Sequence, residues 1–384
     1  MKASSLAAIP TVLPSISTNA NFIDPSTDTE KPVVKFFGDG DFFDGTRYWQ
    51  QLQEADKHHP IKIDRYGNGG AVEELQKKFE SITGKEQAIY MPTGTMANQF
   101  AISVLSGENT KVYVQDTSHV YRDEADAAQS VFNKRLMPLA RNKTYFTAAE
   151  LKSAIDDLGN EEVFKSGIGC VSVENPVRRT DGRMIPIEEI KKISEYCRTN
   201  NIKLHLDGAR IYMASAWSGV SVKEYSSYFD TVYISLYKYF GASGGAILCG
   251  NKEVISKMPH LIKIHGGNMF GNWLCAAIAL HRLEGMEERL QQSIIASKKI
   301  FSELNKIAGL KITELDGGTN IYKIQYPEKI NIQKFGEQMG KLNILLSRPT
   351  QTGEGRLTVN ETILYKSVDS IVNSFNDALK FASA

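Results

Sequence analysis

The sequence predicts an α/β protein: a large domain built on a mixed, mostly parallel sheet, followed by a small C-terminal α+β domain. Three observations carry that expectation. Short apolar runs alternate with amphipathic stretches from Ala71 onward, the pattern of strands joined by helical crossovers. One run, Ile168 to Val173, is almost continuously apolar, as a strand buried on both faces must be. From about residue 286 the pattern changes to a long mixed-charge helix, short strands and a last helix.

Residues 1–32 stand apart. Met1-Lys2 precedes a weakly apolar stretch through Ala3-Ser4-Ser5-Leu6-Ala7-Ala8-Ile9 and Thr11-Val12-Leu13, and Thr18-Asn19-Ala20 has the small residues of a cleavage site. The segment resembles the tail of a twin-arginine leader, without the arginine pair. Two readings stay open: the remnant of an export leader, which implies the periplasm, or a disordered arm on a cytoplasmic protein. The large domain is assigned to 33–285 and the small one to 286–384.

Within the large domain, Val72, Leu75 and Phe79 recur at helical spacing between Ala71 and Ile82, and Gly84 closes that helix. Gln87 to Met91 reads as a strand, Met96 to Leu105 as a helix, and Val112-Tyr113-Val114 as a strand. Phe146 to Leu158 reads as a helix, with Thr147 and Glu150 spaced as a capping box. A helix at Pro186–Thr199 and strands at Lys203–Leu206, Thr231–Ser235 and Gly245–Leu248 follow. In the small domain, helices span Glu287–Ile307 and Val368–Phe381, with strands at Ile321–Ile324, Ile344–Leu346 and Gly355–Val359.

Composition narrows the function classes. The 384 residues are 42% hydrophobic and 23% charged, enough chain for a large core. A formal charge of +1 leaves no electrostatic footprint for nucleic acid or an acidic membrane surface. No apolar stretch reaches the roughly 18 residues a membrane helix needs. Cys170, Cys197, Cys249 and Cys275 are widely separated, without the spacing of a zinc site or redox pair, and read as buried thiols.

The chemistry lies at strand ends. Lys203-Leu204-His205-Leu206 ends at Asp207, and Thr231-Val232-Tyr233-Ile234-Ser235 stops shortly before Lys238. In a parallel sheet, ligands bind beyond the carboxyl ends of the strands, so an aspartate and a lysine there face a shared site. That pairing is what pyridoxal phosphate (PLP) asks for. Its aldehyde needs an amine, Lys238, and its pyridine nitrogen needs an anion, Asp207, to stay protonated. Pro92-Thr93-Gly94-Thr95, between a strand and a helix, offers hydroxyls and a helix N-terminus for the phosphate, with Thr93, Gly94 and Thr95 as its ligands and Ser235 beside the lysine segment. His119, after the strand at Val112, is placed to lie flat against the ring.

Together these segments resemble the low-specificity threonine aldolases of the β-eliminating lyase group, among the fold type I PLP enzymes. The likeness runs from about residue 34 to the C-terminus. It rests on Thr93-Gly94-Thr95-Met96-Ala97-Asn98-Gln99, Glu174-Asn175, Leu206-Asp207-Gly208-Ala209-Arg210, the Lys238 segment, Gly266-Gly267 and Gly355-Arg356-Leu357-Thr358, in that order. The resemblance implies that Lys238 holds the cofactor as a Schiff base, Asp207 pairs with the pyridine nitrogen and His119 stacks on the ring. It also implies that Arg210 and Arg356 grip the substrate carboxylate. A planar guanidinium does this through two parallel hydrogen bonds, which fixes the bond to Cα that breaks. For Arg356 a surface ion pair is the alternative. Arg183 fits a family motif with no clear role. Asp64 to Gly70 is either active-site lining at a subunit boundary or a glycine-rich turn.

Departures fall on the substrate side. Where relatives carry a histidine after Glu174-Asn175, this chain has Pro176-Val177-Arg178, and valine moves no proton. Phe270 follows Met269 where an arginine is expected, Phe36 to Gly40 lacks the usual serine, and Tyr237 replaces a serine before Lys238. Arg178 or Arg179 is a candidate cation for an acidic or phosphorylated substrate side chain. The expected activity is that of a PLP-dependent lyase on amino acids, by aldol cleavage of a β-hydroxy amino acid to glycine and an aldehyde. β-Elimination is the alternative, and a non-catalytic binding protein of the same fold is a third reading. The resemblance further implies a homodimer or homotetramer.

Overall fold

In the computed structural model, which describes residues 32–347 and 353–383, the chain forms twelve strands among those residues. In chain order they are β1 (Val34–Phe36), β2 (Gln87–Met91), β3 (Lys111–Gln115), β4 (Arg135–Leu139), β5 (Ile168–Glu174) and β6 (Lys203–Asp207). β7 (Thr231–Ser235), β8 (Ala246–Gly250), β9 (Lys311–Glu314), β10 (Ile321–Gln325), β11 (Ile344–Leu346) and β12 (Glu354–Thr358) complete the set. The leader-like segment, assigned to 1–32, lies outside the described residues except for Pro32.

The central sheet has the order β2-β8-β7-β6-β5-β3-β4. β7, β6, β5, β3 and β4 pair in parallel, while β8 is antiparallel to both β7 and β2. β2 therefore runs in the common direction and β8 alone is reversed. Met91, Gln115, Glu174, Asp207 and Ser235 consequently end their strands along one edge. The residues that follow them, from Thr93 to Lys238, meet there by topology.

Burial explains why these segments are strands. β3, β7 and β8 are buried along their whole length, with helices covering both faces. On one side the helix Gly70–Thr83 buries Val72, Leu75 and Phe79, and Gly84 ends it in the left-handed region at φ 67°. The capping box ahead of the helix Ala148–Glu161 forms in both directions: Glu150 N donates to Thr147 Oγ1 at 3.1 Å and Thr147 N to Glu150 Oε2 at 2.7 Å.

Three strands and several helices have no counterpart in the sequence reading. β4 contains Pro138, which argues against a strand until its position at the sheet edge is known. β9 is a four-residue strand of mixed polarity, and β1 has three residues. The helices Gly45–His58 and Trp273–Leu283 pack together beside the sheet.

The C-terminal portion carries an antiparallel sheet, β12-β10-β9, and a two-stranded parallel pair, β1-β11. Its separate core gathers Phe36, Phe301, Tyr322, Phe335 and Phe375, with the Phe36 ring edge-on to Phe375 at 6.1 Å. β1 therefore joins the C-terminal core, although the sequence reading groups residue 33 onward with the large domain. The described residues from Pro32 onward pack as one compact unit. No helix among them is long and apolar enough to cross a membrane.

Candidate active site

A cavity of about 410 Å³ opens at the carboxyl edge of the sheet, lined by Thr93, Gly94, Thr95, His119, Asp207 and Lys238, with Arg210 and Tyr237 at its wall. These residues arrive from four strand ends, those of β2, β3, β6 and β7.

After β2 the chain enters the helix Gly94–Ser106, and Thr93 caps it by accepting from Met96 N at 3.2 Å. The first helical amides thus point at the cavity with the positive end of the helix dipole. Gly94 is required by close approach: a Cβ there would lie 2.0 Å from the Tyr233 hydroxyl oxygen. Ser235, the last residue of β7, is fully buried, and its Oγ has no hydrogen-bond partner among the described residues. Lys238 follows three residues later, with Nζ 3.3 Å from the Tyr237 hydroxyl and 4.5 Å from that ring's centre.

Asp207 ends β6, only 2% exposed. Its Oδ1 accepts from Ala209 N at 3.1 Å and its Oδ2 from Asn98 Nδ2 at 2.9 Å. His119 opens a short helical turn after β3. Its backbone N donates to Glu174 Oε2 at 2.7 Å, and its Nδ1 lies 2.9 Å from Glu124 Oε1. The Glu124 bond raises the imidazole's proton affinity against the opposing effect of burial. Burial likewise raises the carboxyl of Glu124, and it pushes that of Glu174 to about 7, with Asp207 adding repulsion.

The arginines divide. Arg210 lines the cavity and grips Asp39 through two bonds, Nε to Oδ1 at 2.5 Å and Nη2 to Oδ2 at 2.9 Å. Burial opposes its charge, but Asp39 more than restores it. Arg356, on β12, is not among the lining residues; it pairs with Asp181 at 3.1 Å and Glu354 at 2.7 Å. Arg178 and Arg179 both hold Asp123, Arg179 by two bonds, so the pair of cations shares one carboxylate. Arg183 bridges to Val177 through the backbone, with its side-chain Nε buried and unpartnered among the described residues. Phe270 packs edge-on against Tyr66 at 5.3 Å, and Asn272 N donates to Asp64 at 2.7 Å, tying the Asp64–Gly70 loop to this segment.

Sequence reasoning missed Glu124, Asn98 as a side chain, and Asp39 as the partner of Arg210. The one available signal for Glu124 was its position five residues after His119, in a segment too short to assign.

PLP fits these residues. The cavity has the volume of a cofactor site, a helix N-terminus with two threonines for the phosphate, an amine, and a buried carboxylate. The buried Ser235 hydroxyl, at the end of β7 beside this edge, adds a further candidate donor.

Comparison with known proteins places the chain in a family. The β-eliminating lyase family profile matches residues 46–326. The low-specificity L-threonine aldolase of Candida albicans is 34% identical over 228 residues, which span 59% of this chain and 60% of that enzyme. The low specificity L-threonine aldolase of Escherichia coli K12 is 29% identical over 306 residues, spanning 79% of this chain and 88% of the relative. A Listeria monocytogenes crystal structure assigned as an L-allo-threonine aldolase superposes with a TM-score of 0.74 at 25% identity, over 91% of this chain and 96% of that one. With the family profile covering most of its length, the chain belongs to the β-eliminating lyase family of PLP-dependent, fold type I enzymes.

Proposed function

We propose that the chain is a lyase that cleaves a β-hydroxy amino acid between Cα and Cβ, releasing glycine and an aldehyde. The supporting observation is the single cavity that Lys238, Asp207 and His119 line together at the carboxyl edge of the sheet. The names of the relatives point the same way.

Each residue has a task in this reading. Lys238 offers the amine that carries the cofactor. Asp207 supplies the anion for the pyridine nitrogen. Thr93, Gly94, Thr95 and Ser235 receive the phosphate, and His119 lies against the ring. When bound, PLP supplies a sink for the electron pair left at Cα. Arg210 has Nε and Nη2 engaged by Asp39, which aims the guanidinium and leaves Nη1 for the substrate carboxylate. Arg356 takes the ion-pair role that its sequence context also allows. The β-hydroxyl proton needs a base, and Val177 offers none. His119 Nε2 would take that proton as Cα–Cβ breaks, and Lys238, in its ammonium form, would give a proton to Cα and take one back from solvent.

β-Elimination is the second reading, favoured by the absence of a proton acceptor at Val177. There Lys238 removes the Cα proton and the β-substituent leaves. Purified protein incubated with threonine and a panel of amino acids tests both. Glycine with an aldehyde supports aldol cleavage, and ammonia with a keto acid supports elimination. A preparation whose absorbance never changes on adding PLP and amino acid overturns both.

The partner chemistry is a small amino acid together with further copies of the same chain. Exposed Ile63, Tyr66, Ile264, Met269 and Phe270 support a homodimer or homotetramer closing over the Asp64–Gly70 loop.

A further inference from the structure

Behind the cavity wall lies a continuous chain of buried polar groups that the lyase reading does not use. Thr231 Oγ1 is 2.8 Å from His205 Nδ1, and His205 Nε2 is 3.0 Å from Asn98 Oδ1. Asn98 Nδ2 then meets two carboxylates, Asp207 Oδ2 at 2.9 Å and Glu124 Oε1 at 2.7 Å. Glu124 Oε1 also meets His119 Nδ1 at 2.9 Å. Asn98 and His205 are fully buried, and Glu124 is 5% exposed.

With Glu124 and Asp207 ionised, hydrogen-bond logic gives this chain one consistent set of protons. A carboxylate only accepts, so the Asn98 amide must turn its NH2 toward Asp207 and Glu124; the reverse orientation would set its carbonyl against two carboxylate oxygens. Asn98 Oδ1 must then accept from His205 Nε2–H. His205 is neutral, because full burial drives its proton affinity down to about 4, so its Nδ1 accepts from the Thr231 hydroxyl. All donors point one way, toward Glu124 and Asp207. Glu124 Oε1 therefore accepts from both Asn98 and His119, which puts the His119 proton on Nδ1.

We propose that Glu124, oriented by the Thr231–His205–Asn98 chain, is the positioning residue that holds the His119 proton on Nδ1 and leaves Nε2 as the proton-accepting nitrogen at the cavity. This rests on the lyase reading only for what Nε2 then accepts. It supplies the base that Val177 cannot, and it does so with a carboxylate–imidazole pair in which the anion raises imidazole basicity. A ring nitrogen of His119 and one carboxylate oxygen each of Glu124 and Asp207 lie within 4.8 Å of one another, and one amide, Asn98, serves the anion beneath the imidazole and the anion for the pyridine nitrogen. The charges that bear on His119 are Glu124, Asp207 and Glu174. Asp123 also faces it, neutralised by Arg178 and Arg179, and Lys238 and Arg210 line the same cavity.

The test is ring-nitrogen NMR of the full-length protein before and after PLP loading, with His119 assigned by its absence in His119→Gln. The expected wild-type spectrum shows neutral His119 protonated on Nδ1, titrating above the ordinary imidazole value of about 6.5. Glu124→Gln keeps the shape and removes the charge, so the His119 titration should fall by about one pH unit, a tenfold loss of proton affinity. A residue with a merely structural role would lower the melting temperature and leave that titration in place, which overturns the proposal. Wild-type His119 protonated on Nε2 overturns it as well, and this measurement decides the matter if the variant does not fold. PLP uptake followed by absorbance separates the two claims: a protein that refuses the cofactor sinks the lyase reading and leaves the His119 result standing.

Discussion

Lys238 is the residue on which the proposed chemistry turns, because no other amine lines the cavity among the described residues. Lys238→Ala is expected to abolish the long-wavelength absorbance of the lysine-linked cofactor and all turnover, while unfolding at a temperature close to wild type. A variant that still forms that absorbance would place the linkage on another lysine. Gly94 tests the phosphate end. An alanine Cβ would fall 2.0 Å from the hydroxyl of Tyr233, a side chain 3% exposed on the central strand β7, which would have to shift at the cavity wall. Overpacking of this kind costs about 1–3 kcal/mol, so Gly94→Ala should lower the melting temperature and weaken PLP binding about tenfold or more by fluorescence titration. Unchanged affinity would separate Gly94 from the phosphate.

His205 carries a pH signature. Its folded-state value is depressed to about 4 by burial, below the roughly 6.5 of the unfolded chain. The unfolded state therefore binds more protons between those values, and stability must fall as pH falls from about 6.5 toward 4. His205→Gln keeps a polar group and removes this titration. Urea unfolding from pH 7 to pH 4 should show a shallower loss of stability in the variant, by up to one proton. Parallel curves would mean that His205 does not titrate on unfolding.

At the scale of elements, the capping box offers a local test. Thr147→Ala removes the side-chain acceptor for Glu150 N and leaves the helix Ala148–Glu161 without its reciprocal cap. About 1 kcal/mol of stability should be lost in urea unfolding. PLP affinity should stay constant, because that helix contributes no residue to the cavity. A change in affinity would show that the helix transmits strain to the site.

The same scale explains what the sequence made legible. Thr147 and Glu150, the run Ile168–Val173, and the strand ends at Asp207 and Ser235 are local patterns, readable without knowing the fold. Once strands were placed, the rule that ligands sit at their carboxyl ends brought Asp207, Lys238, His119 and Thr93 together. β4 escaped because Pro138 is tolerable only at an edge, and edge position is a property of the sheet, not of the segment. Glu124 escaped because its meaning depends on Asn98, 26 residues before it, whose one buried amide also holds Asp207, 109 residues further along the chain than Asn98. Arg356 shows the converse. A guanidinium in a matching motif reads as a carboxylate ligand, and its ion pairs with Asp181 and Glu354 are not visible in the motif itself.

At the scale of the whole molecule, the arrangement of exposed apolar side chains argues for assembly. Scattered surface hydrophobics need no explanation, but Met269 and Phe270 stand 52% and 64% exposed, and Phe270 packs on Tyr66, itself 51% exposed. The backbone holds this ridge rigidly: Tyr66 N donates to Phe270 O at 2.9 Å, and Asp64 fastens Asn272 at 2.7 Å. A stiff ridge of aromatic and thioether side chains suits a protein interface, since little conformational freedom is lost on contact. The protein is accordingly expected to sediment as a dimer or tetramer. Phe270→Glu places a charge in that contact and should shift the protein toward monomer, because an unpaired carboxylate is costly to desolvate. The variant should keep its melting cooperativity, as Phe270 belongs to none of the three buried hydrophobic clusters. If the Asp64–Gly70 loop completes a neighbour's site, turnover should fall in step with the dimer fraction across a dilution series. A wild type that sediments as a monomer, or a Phe270→Glu protein that assembles as before, would remove this face from the interface.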